Sequence, residues 1–262
     1  MKKLIAVLLA VTMILTVAGC AKSEEPAAST APETTAAPET TAAPETTEAP
    51  VEAEAAVMTY EEYAAIEVVQ GGDLVPVVLE TYVQGHQSWW DNKITVYCQS
   101  PEGACFAYEM ACTEEDAAKL VPGTKIRISG DKTVWSGEIE IMNATFTFVE
   151  DGDAYIAEAL DVTDLLGTDE MEAHQNELVS FTGLTVEAIE YKNGEPGDDI
   201  YLTLGYNGAS YSFCVEVYLT GTDSDVYTTV GELEVGDTVN VEGFLYWYEG
   251  MNPHITAISV AE

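Results

Sequence analysis

The sequence contains few basic residues. Nine Lys and Arg stand against 46 Asp and Glu, so the formal net charge of the 262-residue chain is −37. A field of this sign repels the phosphates of nucleic acids and anionic lipid headgroups, and it favours cations, polyamines or basic partners. The charge therefore disfavours nucleic acid as a partner, although a strongly acidic surface also serves simply to keep a protein soluble.

Cysteine and histidine are also scarce, with five and three residues. No two cysteines have the CxxC spacing of a zinc site and the histidines are scattered, so neither a metal site nor a cofactor is predicted. Apart from Cys20, the cysteines are Cys98, Cys105, Cys112 and Cys214. A two-residue turn in the segment QSPEGA would set Cys98 and Cys105 opposite each other, whereas a three-residue bulged turn would put them on opposite faces. The bulged turn, with buried free thiols, is the favoured prediction.

Motifs for catalysis are missing. The chain has no nucleophile elbow, no glycine loop that cradles phosphate and no Ser/His/Asp arrangement. Acidic clusters such as 150–153 and 198–199 offer oxygen ligands for Ca²⁺, but none has EF-hand spacing, so solvated acidic loops are the better interpretation. The many acids leave a carboxylate pair for glycoside hydrolysis as an alternative, but nothing in the sequence marks one out. We therefore predict a protein without enzymatic activity.

The N-terminus carries the pattern of an exported protein. Lys2 and Lys3 precede the apolar run LIAVLLAVTMILTV, and the residues VAGC end at Cys20. An apolar run of this length followed by small residues is typical of a signal peptide, here residues 1–19. The sequence VAGC resembles a bacterial lipobox, which implies cleavage before Cys20 and diacylglycerol on its sulfur; an ordinary secretory signal is the alternative. The resemblance implies a chain anchored by lipid to the membrane, on the extracellular face of the cell membrane.

Residues 20–57 are predicted to be a disordered tether. The unit APETTA recurs, Pro, Thr, Glu and Ala dominate, and no aromatic residue is present. Such a segment cannot bury enough apolar surface to offset the entropy lost on ordering. Fully extended at about 3.1 Å per residue, it would reach on the order of 110 Å, enough to hold a domain clear of a membrane.

The remaining chain contains an internal repeat. Residues 120–148 align without a gap on residues 233–261, so that Gly130 matches Gly243. Most of the matched positions are apolar or glycine, the types that β-structure constrains most strongly. The repeat therefore indicates two domains of one fold.

Both halves have the same predicted order of elements: three strands, a helix and two strands. Five strands with a helix between the third and the fourth is the order of an OB-fold, whereas an immunoglobulin-like sandwich needs about seven strands and no helix. The fourth-strand pattern G-x-x-[IV]-x-[IV]-x-G resembles bacterial OB-fold domains, and the whole is similar to tandem OB-fold surface lipoproteins of Clostridia-like Gram-positive bacteria. We therefore predict an all-β chain with short helices, in which two five-stranded OB-fold-like barrels, at 58–152 and 153–262, follow the tether.

Aromatic residues mark the predicted binding loops. OB-folds bind ligands on strands two and three and with the loops between strands one and two and strands four and five. All four tryptophans fall in or beside these loops, and one of the adjacent Trp89 and Trp90 must face outward if the backbone is extended. The candidate ligand-binding residues are Trp89, Trp90, Asn92, Tyr108, Trp135, Trp247, Tyr248 and Asn252. Packing within or between the barrels is the alternative role for each of them.

These features favour a binding protein without catalysis. Its ligand is predicted to be a glycan, a cationic small molecule or a protein, because stacking on a sugar or a peptide tolerates an acidic surface. The alternative is binding of single-stranded nucleic acid, which normally requires a basic groove along the phosphates and shows a steep salt dependence.

Overall fold

Antiparallel strands dominate the computed structural model, which describes residues 56–261. The predicted signal peptide, Cys20 and nearly all of the predicted tether lie outside the described residues. The strands are β1 (Val75–His86), β2 (Lys93–Ser100), β3 (Gly103–Ala111), β4 (Lys125–Trp135), β5 (Glu138–Phe148), β6 (Leu160–Asp161), β7 (Leu178–Tyr191), β8 (Ile200–Tyr206), β9 (Ala209–Val215), β10 (Thr238–Phe244) and β11 (His254–Val260). The α-helices are α1 (Tyr60–Ala64), α2 (Glu114–Ala117), α3 (Val217–Thr220) and α4 (Asp225–Glu232), and 3₁₀ turns cover Thr163–Leu165 and Asp169–His174. Among residues 56–261 no helix has the length and apolarity needed to span a bilayer.

The first five strands close into a barrel. Their order is β1-β2-β3-β5-β4, and β4 pairs back to β1. The contact between β3 and β5 is parallel, and α2 joins β3 to β4 with Thr113 as its N-cap. This neighbour order, with a helix between the third and fourth strands, is that of an OB-fold. The predicted fold class is thus confirmed.

The second sheet repeats the arrangement. Its order is β10-β11-β9-β8-β7-β6, and β10 also pairs with β7, so that β7 to β11 form a ring with the neighbour order of the first barrel. The extra strand β6 adds to β7 in parallel, and α4 lies between β9 and β10. Each ring encloses its own apolar core, formed by inward side chains such as Ile126 and Ile128 in the first and Phe181 and Phe213 in the second.

The glycines shared by the two copies lie where strands come close together. Gly130 and Gly243 both sit at register shifts between the fourth and fifth strands of their barrels. A Cβ atom on Gly130 would lie 2.7 Å from the carbonyl oxygen of Met142, and one on Gly243 would collide with the carbonyl of His254. These positions therefore require glycine for close backbone approach rather than for ligand binding.

The turn between β2 and β3 differs from the predicted one. Ser100 pairs with Gly103 across a two-residue turn, which places Cys98 directly opposite Cys105. The predicted three-residue bulged turn is wrong, because the register shift of this hairpin falls between Ile94 and Val96 instead. The four cysteines of the described part of the chain are nevertheless free and buried.

Candidate functional site

The outward face of β2 and β3, where OB-folds bind their ligands, is covered by the second barrel. Tyr97 and Phe106 lie apart from the interior core of the first barrel and are buried. Phe244 of β10 stacks on Tyr97, with ring centroids 4.3 Å apart and planes inclined by 5°. Tyr246 meets Phe106 edge-on at 5.5 Å, and the ring of Tyr108 follows Phe106 at 6.5 Å. Tyr108, the ligand-binding residue predicted on this face, keeps an exposed surface.

Polar contacts fix the same interface. The Tyr97 hydroxyl lies 2.7 Å from Nδ1 of His254. Burial lowers the pKa of His254 to about 4, so its ring is neutral near pH 7. The 3.6 Å approach of His254 to Glu216 is consequently not an ion pair at that pH. Instead Gln87 donates to both carboxylate oxygens of Glu216, at 2.9 Å each.

The loops between the fourth and fifth strands of the two barrels meet each other. The rings of Trp135 and Tyr248 lie 5.4 Å apart and remain 47% and 48% exposed. Trp247 is half-buried against Gly137, where a Cβ atom would lie 2.6 Å from its Cδ1. The backbone N–H of Trp247 donates to Glu138 at 2.8 Å. The predicted residues of these loops thus form part of the contact between the barrels.

Two further predicted residues shape loops. Asn92 has a φ of +61° in the turn after β1, and its carbonyl accepts a hydrogen bond from Cys112 N–H at 2.9 Å. Asn252 accepts from the Ser212 hydroxyl at 3.4 Å and donates its N–H to the Tyr246 carbonyl at 2.9 Å. Asparagine tolerates the left-handed region at low cost, which accounts for Asn92 without a ligand.

The tryptophan pair divides between the interior and the surface. Trp89 packs on the core of the first barrel and donates its indole N–H to the carbonyl of Cys112 at 2.9 Å. Trp90 turns outward and is 77% exposed. This alternation is the one expected of adjacent residues in an extended segment.

Trp90 lines a cleft of about 370 Å³, which we call the Trp90 cleft. Its lining comprises Gln87, Ser88, Trp89, Trp90, Lys93, Ile94, Thr95, Glu109 and Tyr218. Tyr218 comes from the second half of the chain and is 60% exposed. The backbone N–H of Ser88 donates to the Tyr218 carbonyl at 2.6 Å, which joins the two sides of the cleft. Both barrels therefore contribute an exposed aromatic ring to one cleft.

Sequence reasoning missed Tyr218. The pattern of residues 209–218 predicts one strand, whereas β9 ends at Val215 and α3 follows. The helical turn ends at Gly221, whose φ of +81° suits glycine. A short apolar run gives strand and helical turn the same local signal, and the glycine was the one available sign of the turn.

The basic side chains of residues 56–261 bind acidic side chains or backbone carbonyls of the protein itself. Lys93, in the Trp90 cleft, contacts Glu109 at 2.6 Å, and this hydrogen bond raises the pKa of Lys93. Lys119, Lys125, Arg127 and Lys192 likewise pair with Asp or Glu. Lys132 is buried and donates to two backbone carbonyls. The described part of the chain therefore has no groove of unpaired cations that could follow a phosphate backbone.

Metal coordination has no geometric basis in the described residues. No group of three or more His, Cys, Asp or Glu side chains within 56–261 is placed to hold a metal ion. The acidic segment 150–153 is exposed, as expected of a solvated loop.

Comparison with known proteins gives matches among solved structures. No protein-family model matches the chain, and no curated protein matches it. A murine DNA-binding protein bound to double-stranded DNA is 13% identical, with 72% of this chain and 96% of that chain covered and a TM-score of 0.35. The p202 HIN1 domain in complex with a 12-mer double-stranded DNA is 12% identical, with coverages of 74% and 98% and a TM-score of 0.36. A deletion mutant of the single-stranded DNA-binding protein from Thermus aquaticus is 12% identical, with coverages of 74% and 97% and a TM-score of 0.24.

These comparisons correct the predicted ligand. The proteins named in the three matches bind DNA, double-stranded in two cases and single-stranded in the third. This finding contradicts the prediction that the ligand is a glycan, a cationic small molecule or a protein and that nucleic acid is disfavoured.

Proposed function

We propose that this protein binds single-stranded nucleic acid by stacking unpaired bases in the Trp90 cleft. The observation that carries the proposal is the pair of exposed rings, Trp90 and Tyr218, which line one cleft beside the loop that OB-folds use for ligands. A large apolar ring costs free energy when it is held in water, and a base has two flat faces that can cover it. Thr95, Gln87 and Glu109 add polar groups around the rings.

Stacking, rather than charge, supplies the affinity in this proposal. Because Lys93 is already paired with Glu109, a phosphate near the cleft would have to compete with that carboxylate. Few counterions are then released on binding, so the salt dependence is shallow instead of the steep one typical of basic grooves. A duplex, whose bases are stacked on each other, offers no free base face and should bind more weakly than a single strand.

The test is a fluorescence titration with short oligonucleotides of unpaired thymidine at low ionic strength. Base stacking contributes about 1–3 kcal/mol per base, so Trp90→Ala and Tyr218→Ala should each weaken binding on the order of 5- to 150-fold. Tyr201→Ala is the matched control, because Tyr201 is an exposed aromatic residue on β8 outside the cleft. Folded protein that shows no oligonucleotide binding at low salt, or a Tyr201→Ala variant that loses as much affinity as Trp90→Ala, would refute the proposal.

The location and the absence of catalysis stay part of the proposal. The segment VAGC supports a lipid-anchored protein on the extracellular face of the cell membrane, similar to Gram-positive surface lipoproteins with tandem OB-folds, where it would meet nucleic acid outside the cell. Metabolic labelling with a palmitate analogue tests the anchor. We expect label on the wild-type chain and none on a Cys20→Ser variant, whereas equal labelling of both would exclude lipidation at Cys20.

A further inference from the structure

The carboxyl group of Glu138 is buried in the contact between the barrels with one oxygen unpartnered. Glu138, on β5, has 0% of its surface exposed. Its Oε2 accepts the backbone N–H of Trp247 at 2.8 Å, whereas Oε1 has no hydrogen-bond partner. An ionised carboxylate in this position would hold a charge in a low dielectric with half of its acceptor capacity unused, which is unfavourable.

Asn176 likewise has a buried side-chain oxygen without a hydrogen-bond donor. Its side chain contacts the Glu138 carboxyl group, and its Nδ2 donates to the Ile139 carbonyl at 3.1 Å. That bond fixes the orientation of the amide and leaves Oδ1 as a second buried acceptor without a donor. Oε1 of Glu138 and Oδ1 of Asn176 are therefore two neighbouring acceptors with no donor between them. A proton on Oε1 of Glu138, donated to Oδ1 of Asn176, would satisfy both.

No cation among residues 56–261 offsets a negative charge on Glu138. The titratable side chains that face it, among the described residues, are Glu140 on the same strand, Tyr63 of α1, Tyr97 of β2 and Tyr246 after β10. Lys132 lies over the ring of Tyr63, but its Nζ donates to the carbonyls of Tyr63 and Ile66 at 2.8 Å each. Burial raises the pKa of Glu138 to about 8, even though the nearby Asn176 side chain and the hydrogen bond from the Trp247 N–H lower it.

We propose that the two barrels dock with Glu138 protonated, and that loss of this proton at alkaline pH loosens the contact and uncovers Tyr97 and Phe106. The Asn176 side chain and the Trp247 N–H that surround the carboxyl group both belong to the second half of the chain. Separation of the barrels would hydrate the Glu138 carboxyl group, so the burial that raises its pKa would be lost. Phe244, which is stacked on Tyr97, would leave with the second barrel.

The sign of the pH effect follows from the displaced pKa values. The docked state holds a proton on Glu138 up to about pH 8, whereas an undocked Glu138 releases it near the ordinary value of 4.5. Docking therefore weakens as pH rises between these values, by up to about tenfold per pH unit. Burial also raises the pKa of Glu140 and Glu216 to about 7, which adds in the same direction. His254, whose pKa burial lowers from 6.5 to about 4, acts in the opposite direction only below 6.5.

Hydrogen–deuterium exchange and small-angle scattering on the full chain, at about pH 6.5 and about pH 9, test the proposal without any ligand. After correction for intrinsic exchange, amides of β2, β3 and β10 in the wild type should exchange at least about tenfold faster at the higher pH, with a larger radius of gyration. Glu138→Gln should keep most of its protection at the higher pH, because its amide can donate to Asn176 and accept from Trp247 as the protonated acid does.

Glu190→Gln is the matched control, since Glu190 is an exposed acid on β7 and should leave the pH response unchanged. Equal protection of the wild type at both pH values would overturn the proposal without reference to any variant. A Glu138→Gln variant that opens as readily as the wild type would do the same. Both readouts are independent of nucleic-acid binding, so this inference and the proposed function can fail separately.

Discussion

Replacing Gly85 with Ala tests whether packing against Phe244 holds the two barrels together. Gly85 lies in β1, and a Cβ atom there would be 2.9 Å from Cε2 and 3.0 Å from Cζ of the Phe244 ring. The backbone at Gly85 is outside the left-handed region, so alanine adds no conformational strain. The methyl group can be accommodated only if Phe244 moves, and its stacking on Tyr97 at 4.3 Å leaves it little room.

The expected loss is the difference between two effects. Forcing a methyl group into a packed contact costs about 1–3 kcal/mol. Replacing a strand glycine with alanine recovers about 0.5–1 kcal/mol, because the unfolded chain loses freedom. We therefore expect a net destabilisation of about 1 kcal/mol, within limits of about 0 and 2.5 kcal/mol, which for a protein of this size lowers Tm by up to roughly 10 °C.

Gly205→Ala provides the matched control. Gly205, like Gly85, is a strand glycine outside the left-handed region, but its added Cβ would meet the carboxylate end of Glu187, with Cδ at 2.8 Å. A flexible exposed side chain can turn away at little cost, so this variant should be as stable as the wild type to within about 0.5 kcal/mol. Urea denaturation followed by circular dichroism measures both. If Gly85→Ala proved as stable as Gly205→Ala, Phe244 would not be the packing anchor that we describe.

Two further changes have predicted outcomes. Trp89→Ala should lower the free energy of unfolding by about 2–4 kcal/mol in urea, because the ring packs on the core of the first barrel, whereas Trp90→Ala should change it by less than about 0.5 kcal/mol. Lys132→Met should cost about 1–3 kcal/mol and release α1, measured as faster hydrogen exchange there, because two carbonyls lose their buried donor; unchanged exchange in α1 would contradict that role.

The barrels were predictable because their signals are local. The alternation of apolar residues places Ile126 and Ile128 in the core, whatever packs against the outer face of the barrel. Thr59 accepts a hydrogen bond from the N–H of Glu62 and closes a capping box with it, as the spacing of these two residues predicts. Shared glycines mark the bulges of both copies, since a close backbone approach excludes every larger residue.

The covered face was not predictable in the same way. Tyr97 and Phe106 occupy outward positions of β2 and β3, and an outward aromatic in a strand can be a ligand platform or a buried contact. The choice depends on Phe244 and Tyr246, which are more than a hundred residues away in the chain. Ion pairs are equally hard to predict from the sequence. Arg127 contacts Glu80 at 2.8 Å because β1 pairs with β4, whereas composition alone does not show that this cation already has an acidic partner.

The docking of the barrels explains why the candidate site lies where it does. An OB-fold offers the face of its second and third strands and the loops at the rim of that face. In the first barrel the face is occupied by Phe244, so a ligand can reach only the rim, where Trp90 stands. The same docking brings Tyr218 of the second half to that rim, through the hydrogen bond between Ser88 and the Tyr218 carbonyl. The contact that closes the usual face thus builds the cleft, and any change that separates the barrels should remove one wall of it.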